Sequence, residues 1–181
     1  MSIRLTRRHA GLLTAGAVLA ATTRARAAEP IKLGLVAALS GQSAKSGEGI
    51  TRGLSVAMDE VNARGGVLGR PLTLVRRDDE SNPATGQTAA RELIDREGVA
   101  ALFGGIDSPV SQAIVLIINA SKMPFMGVWA AGTNITHNGA DPNFAFRVSA
   151  VDMLVDQRLI AHAAKMGAKK PGLMLGSGLI C

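Results

Sequence analysis

Three short stretches hold the residue types from which a ligand site could be made. In "FGGIDSPVSQAIV", Phe103 to Val115, an apolar run meets Gly104-Gly105, an acid, and then Ser108-Pro109 before a helical pattern. A helix opening there presents unpaired backbone N–H groups and the positive end of its dipole. Pro109 has no N–H, but the Ser108 amide and hydroxyl and the later first-turn amides can donate, a set that suits a carboxylate. Gly104 and Gly105 let main chain approach a ligand with no Cβ in the way. "WAAGT", Trp129 to Thr133, offers small residues, carbonyls able to accept from an ammonium, and the Thr133 hydroxyl. "SGQSAKSGEG", Ser40 to Gly49, is rich in glycine, but its G-x5-G-x-G spacing fits neither the dinucleotide fingerprint nor the phosphate loop. A flexible turn admitting a ligand is the expectation there. The plainer alternatives are that Ser108 caps its own helix and Thr133 the segment after it.

Catalytic arrangements are hard to assemble. His9 lies near the start, His137 in a polar loop and His162 in an Ala-rich helix, and no G-x-S-x-G serine elbow occurs. Cys181 is the only cysteine, which excludes an intrachain disulfide and a multi-cysteine metal site. Asp78-Asp79-Glu80 could hold a divalent cation, though a solvated acidic loop is the expected reading. No enzyme activity, cofactor or metal is therefore expected. With no Tyr, one Trp and four Phe, stacking on nucleic acid or sugars is disfavoured too. The formal charge of +6 does not contradict this. Arg4, Arg7, Arg8, Arg24 and Arg26 all fall in the first 27 residues; removing those five from 20 leaves 15 basic residues against 14 acidic.

The elements that would position these loops read clearly. "IKLGLVAAL" (31 to 39) is a short strand apolar on both faces, as in a buried parallel sheet. From Gly49 the residues Ile50, Leu54, Ala57, Met58 and Val61 recur at helical spacing up to "ARGG". A strand over Leu72 to Arg76 follows, and Asn82-Pro83 opens a second helix in the favoured cap-then-proline order. "VAALFGG" is a third strand, Ser108-Pro109 opens a third helix, and "MPFMGVWAAGT" holds a fourth strand. "NFAFRVSA" is a further strand, Asp152 to Met166 a fourth helix, and "KKPGLMLG" begins another strand. This alternation predicts an α/β fold, a parallel sheet with helices on both faces, whose ligands bind beyond the carboxyl ends of the strands.

The first 27 residues have the parts of an export signal: basic "MSIRLTRRH", apolar "AGLLTAGAVLAA", and the small-x-small site "ARA". Arg7-Arg8 gives it a twin-arginine look. The apolar stretch is shorter than the ~20 residues of a membrane span, so cleavage near Ala27 or Ala28 and no stable anchor are expected.

With this leader, "IKLGLVAALSGQSAKSGEGITRGLSVAMDEVNARGGVLGRPLTLVRRDDESNPATG", "GGIDSPVS" and "VWAAGTNIT" resemble the type I periplasmic solute-binding proteins of ABC transporters, the leucine/isoleucine/valine-binding group in particular. The resemblance covers about residues 30 to 175. It implies a type I periplasmic-binding-protein fold of two α/β lobes closing on a solute, a periplasmic location, a membrane permease as partner, and a monomer. On that pattern 1–27 is the signal, 28–147 the first lobe, and 148–181 the hinge crossing and start of the second. Ser108 matches the serine that bonds the ligand carboxylate, and Thr133 the threonine at the amino-acid head group. Ala131 falls near the matching backbone carbonyl, and one extra residue leaves the register open across Ala130 to Gly132. Ser46 stands where some relatives carry a bulky residue, implying a roomier or more polar site than a strictly branched-chain one.

Relatives of this kind continue for roughly twice this length, so the second lobe is expected to be truncated and binding impaired. An exported α/β hydrolase-like enzyme and a sensory ectodomain are the alternative classes, separable by a turnover screen and by a downstream membrane span.

Overall fold

A computed structural model describes residues 29–170 and residue 172. The expected signal segment, the strand begun by "KKPGLMLG" and Cys181 lie outside these residues or at their edge. The chain runs β1 (Ile31–Ala37), α1 (Ala44–Ala63), β2 (Leu72–Asp78), α2 (Pro83–Asp95), β3 (Ala101–Gly104), α3 (Ser108–Ser121), β4 (Phe125–Gly127), a 3-10 turn (Thr133–Ile135), β5 (Ala145–Arg147) and α4 (Asp152–Lys165). Every strand pair is parallel, in the order β2-β1-β3-β4-β5.

Side-chain alternation along β1 explains why helices lie on both faces. Leu35 and Ala37 pack with Ile50 and Leu54 of α1, whereas Val36 points into the cluster formed with Leu93 of α2 and Val110 and Ile114 of α3. Both sets are buried, so the strand must be apolar throughout. Register carries the division across the sheet. Leu102, Phe125 and Ala145 lie opposite one another and all join the α2–α3 cluster. The next row, Phe103, Met126 and Phe146, faces the other way, and its cover thins outward until Phe146 is half exposed. Helix α4 has no buried residue.

The predicted elements that fall among the described residues are present, with two instructive shifts. Asn82 caps α2 as its sequence indicates, its side chain accepting from the Ala84 and Thr85 amides. Helix α1, however, begins at Ala44 rather than Gly49, so part of the supposed flexible turn is helical. Ser46 consequently sits in the first turn of a helix, and Ala57 of the proposed inward stripe is exposed. The apolar period starts only at Ile50 because the first turn packs through Gly47, buried against the Ala38 carbonyl where no side chain fits, so no apolar residue marks it.

From β1 the chain first moves outward to β2 and then returns past β1 to β3. The loops leaving β1 and β3 therefore diverge, opening a crevice beyond the carboxyl ends of the strands.

Candidate functional site

The loops after β3 and β4 meet at this crevice. The Ala130 amide donates to the Gly105 carbonyl at 2.9 Å. The Gly132 amide donates to Ser108 Oγ at 3.2 Å, with Ser108 almost wholly buried. Ser108 does not cap α3; Asp107 holds the cap position, without a side-chain cap bond. The Ser108 hydroxyl thus joins two loops and retains its own proton for donation. Ser46 approaches from the third loop: with Lys45, Gly49, Ile50 and Trp129 it lines an open cavity of about 450 Å³. Trp129 is adjacent to Ala130, so all three sequence stretches come to one end of the sheet.

Thr133 and the carbonyls beside it are engaged within the chain. Thr133 Oγ1 accepts from the Met153 amide at the start of α4. The Ala130 carbonyl accepts from the Ser149 hydroxyl at 2.7 Å and the Ala131 carbonyl from the Asp152 amide at 3.0 Å. The Gly132 carbonyl accepts from Arg147 Nη2 at 2.7 Å and from the Ile135 amide. The path proposed to receive an ammonium is therefore already hydrogen-bonded at each of the three carbonyls.

Arg147 is the organiser that residue spacing did not reveal. Beyond Gly132, its guanidinium donates to the Thr133 and Ala150 carbonyls and to Thr136 Oγ1. Burial pulls its pKa below the usual arginine value, and the charge of Asp152 opposes that shift. One rigid fork of donors can serve several carbonyls at once, which a lysine ammonium cannot match. Arg147→Ala is expected to lower stability by about 2 kcal/mol, and Arg147→Lys to recover little of it. Urea unfolding, with amide exchange read at Gly132 to Thr136, checks both the loss and its location.

Behind the crevice lie two carboxylates with almost no exposure, Asp79 after β2 and Asp107 before α3. Asp79 Oδ1 accepts from the Ser81 amide, but among the described residues Asp79 Oδ2 and both Asp107 oxygens have no partner. Burial pushes Asp79 up to about 6 against the Ser81 bond, with the charges of Asp107 and Asp78 adding to the rise. The acidic run is thus no solvated loop at its middle residue. Among the described residues, no group of three or more His, Cys, Asp or Glu could hold a metal.

An all-parallel sheet of this strand order, with loops converging at its switch point, defines the doubly wound α/β ligand-binding class. The chain belongs to the periplasmic binding protein family, whose model matches residues 30–176. The fold is that of the type I periplasmic binding proteins. A Leu/Ile/Val-binding protein homolog 7 from Brucella melitensis is 33% identical over 93% of this chain and 42% of its own length. The branched-chain amino acid substrate-binding protein LivJ of Streptococcus pneumoniae, in complex with isoleucine, is 28% identical with a TM-score of 0.63, over 68% of this chain and 34% of that one. A solute-binding protein from Rhodopseudomonas palustris, in complex with 4-hydroxybenzoate, is 27% identical with a TM-score of 0.67, over 76% and 36%. The chain therefore spans well under half of these relatives. No helix among the described residues is long and apolar enough to cross a membrane.

Proposed function

We propose that the chain is the solute-binding component of an ABC importer, exported to the periplasm with cleavage near Ala27 or Ala28. Its solutes are amino acids or related small carboxylates and amides, and its partner is a membrane permease. Residues 28–147 form the first lobe in this reading, and 148–181 lead into the second. The observation that carries it is the junction of Ser108 Oγ with the Gly132 amide at the crevice of a family-matched sheet. Ser108 keeps a hydroxyl proton to donate to a carboxylate, with Ala130 to Gly132 and Thr133 forming the adjoining wall and Ser46 the facing edge. The isoleucine and 4-hydroxybenzoate held by the two similar structures share a carboxylate, which supports an anion-donor role for this wall. The residues described present one side of a cleft, where polar contacts to a ligand compete with water.

Isothermal titration against amino acids, amides and aromatic acids tests the reading. Saturable heat with at least one, reduced about tenfold by Ser108→Ala, is expected from the loss of one charge-assisted hydrogen bond. Silence across the panel overturns it, and turnover of any solute moves the protein to the enzyme class.

A further inference from the structure

The residue before Ser108 is an acid with nothing to hold its charge. Asp107 takes the cap position of α3 without a side-chain cap bond. The Ser111 amide and hydroxyl both donate to the Asp107 carbonyl at 3.0 Å, and among the described residues the carboxylate itself has no donor. Asp79 is enclosed by the starts of α2 and α3: a Cβ added at Gly86 would stand 3.6 Å from Asp79 Cβ and run into Val110. Both acids are 1% exposed. The Asp107 and Ser108 Cα atoms are about 3.8 Å apart, so a carboxylate held at Ser108 Oγ brings a further negative charge to the helix start that Asp107 already occupies. Inside a protein such a charge is screened far less than in water, and it favours the neutral form of a nearby acid.

We propose that binding of a carboxylate solute at Ser108 is linked to proton uptake by Asp79, so that the solute is captured in acid surroundings and released as pH rises. The inference rests on the solute-binding reading above and adds a regulator to the same site. Neutralising Asp79 removes one of three negative charges, those of the solute, Asp107 and Asp79, that would otherwise crowd one end of the sheet. Burial already pushes Asp79 up to about 6, and the charges of Asp107 and Asp78 add to the rise, so a small further push completes protonation. No cation stands ready to do this instead. The first two turns of α2, the whole of α3 and β3 carry no titratable side chain, and Glu80, next in the chain, is exposed. The one charge on β1, Lys32, is at the strand's other end and bound to Glu97. A group with a higher pKa in the bound than in the free state takes up a proton on binding. Affinity therefore grows as pH falls towards about 6 and levels off below it.

The full chain is titrated calorimetrically with isoleucine and with 4-hydroxybenzoate, in PIPES and in imidazole, whose ionisation enthalpies differ. Both probes keep an ionised carboxylate between pH 6 and 8, so a proton taken up belongs to the protein. Affinity is expected to tighten about fivefold from pH 8 to pH 6, with about half a proton taken up per solute at pH 6.5. Asp79→Asn should abolish the uptake and bind at pH 8 at least as tightly as the parent does at pH 6. Unchanged circular dichroism shows that the variant folds, and the buffer dependence of the parent tests the proposal without it. His137 and His162 are exposed, and the same variant separates their protons from that of Asp79. Saturable binding with equal affinity at both pH values and no buffer dependence overturns the linkage and leaves the solute-binding reading standing. Uptake undiminished in Asp79→Asn overturns it too, because another group then carries the proton. Heat from neither probe at either pH overturns it together with the carboxylate role of Ser108.

Discussion

Gly105→Ala should lower the thermal midpoint by about 10 °C, corresponding to about 3 kcal/mol for a domain of this size. Gly105 has φ +83°, in the left-handed region, where a side chain costs roughly 1–2 kcal/mol. The larger cost is steric. A Cβ there would run into Ser111 Oγ, and the Phe125 ring stands 3.6 Å away on the other side. Ser111 is wholly buried, and its hydroxyl donates to the Asp107 carbonyl at 3.0 Å, so it has nowhere to turn. Overpacking of a closed site typically adds about 1–3 kcal/mol. Gly41→Ala separates the two contributions: Gly41 has φ +72° but nothing within 4 Å of an added Cβ. That variant should show the conformational cost alone, about 1 kcal/mol. Because the Gly105 carbonyl also receives the Ala130 amide, Gly105→Ala should weaken ligand binding beyond its effect on stability. Thermal melts of the two variants, each paired with a titration, check the difference.

That contrast shows why some of this protein was readable in advance. Residues that act through backbone geometry announce themselves, because few types satisfy the requirement. Asn82-Pro83 is such a case, and the cap it predicts forms. The apolar strands read equally well, since burial on both faces leaves no polar position in β1 after Lys32. The start of α1 did not, because its first turn packs on the sheet end through Gly47 and carries no apolar period. The site divides along the same line. Ser108, Ala130 to Gly132 and Thr133 were located by loop chemistry and family pattern, and they do lie together at the crevice. What the spacing could not convey is who holds whom. The Ser108–Gly132 bond joins residues 24 apart, and Arg147 reaches back 15 residues to Gly132. An arginine ending a short strand looks like any surface arginine until the carbonyls it serves are placed around it. Asp107 was hidden for a related reason: capping was expected of Ser108, yet Asp107 holds the cap position, buried and, among the described residues, with no donor at its oxygens.

The unpartnered carboxylates lead to the second large effect, an inverted acid response. A carboxyl whose folded pKa is raised holds its proton in the native state at pH values where the unfolded chain has released it. Asp79, pushed up to about 6 by burial, therefore adds stability below its ordinary carboxylate range and loses that contribution as pH climbs through about 6. Stability should rise by about 1 kcal/mol as pH falls from 7.5 to 4.5, allowing for solvent screening and for the opposing glutamates. The other shifted acids oppose it only towards the acid end of that window, because a lowered carboxyl loses its contribution once the unfolded group begins to take up protons. Asp78, although desolvated, is held low by hydrogen bonds from Ser40, Glu80 and Leu39. Glu92 is held low by Arg77, and Glu97 by Lys32 and Arg77, so their contributions start to be lost as pH nears 4.5 and offset part of the gain there. No titratable side chain on α3 or in the first two turns of α2 adds to Asp107 and Asp78 in facing Asp79. Asp79→Asn removes the ionisation while keeping an oxygen for the Ser81 amide, and it also removes the repulsion from Asp107. This variant should be more stable than the parent at pH 7.5 by about 1–2 kcal/mol and nearly equal to it at pH 4.5. Urea midpoints measured across that range decide the matter. A parent whose stability falls steadily on acidification, or a variant weaker than the parent at pH 7.5, would show that a cation rather than a proton neutralises the buried pair.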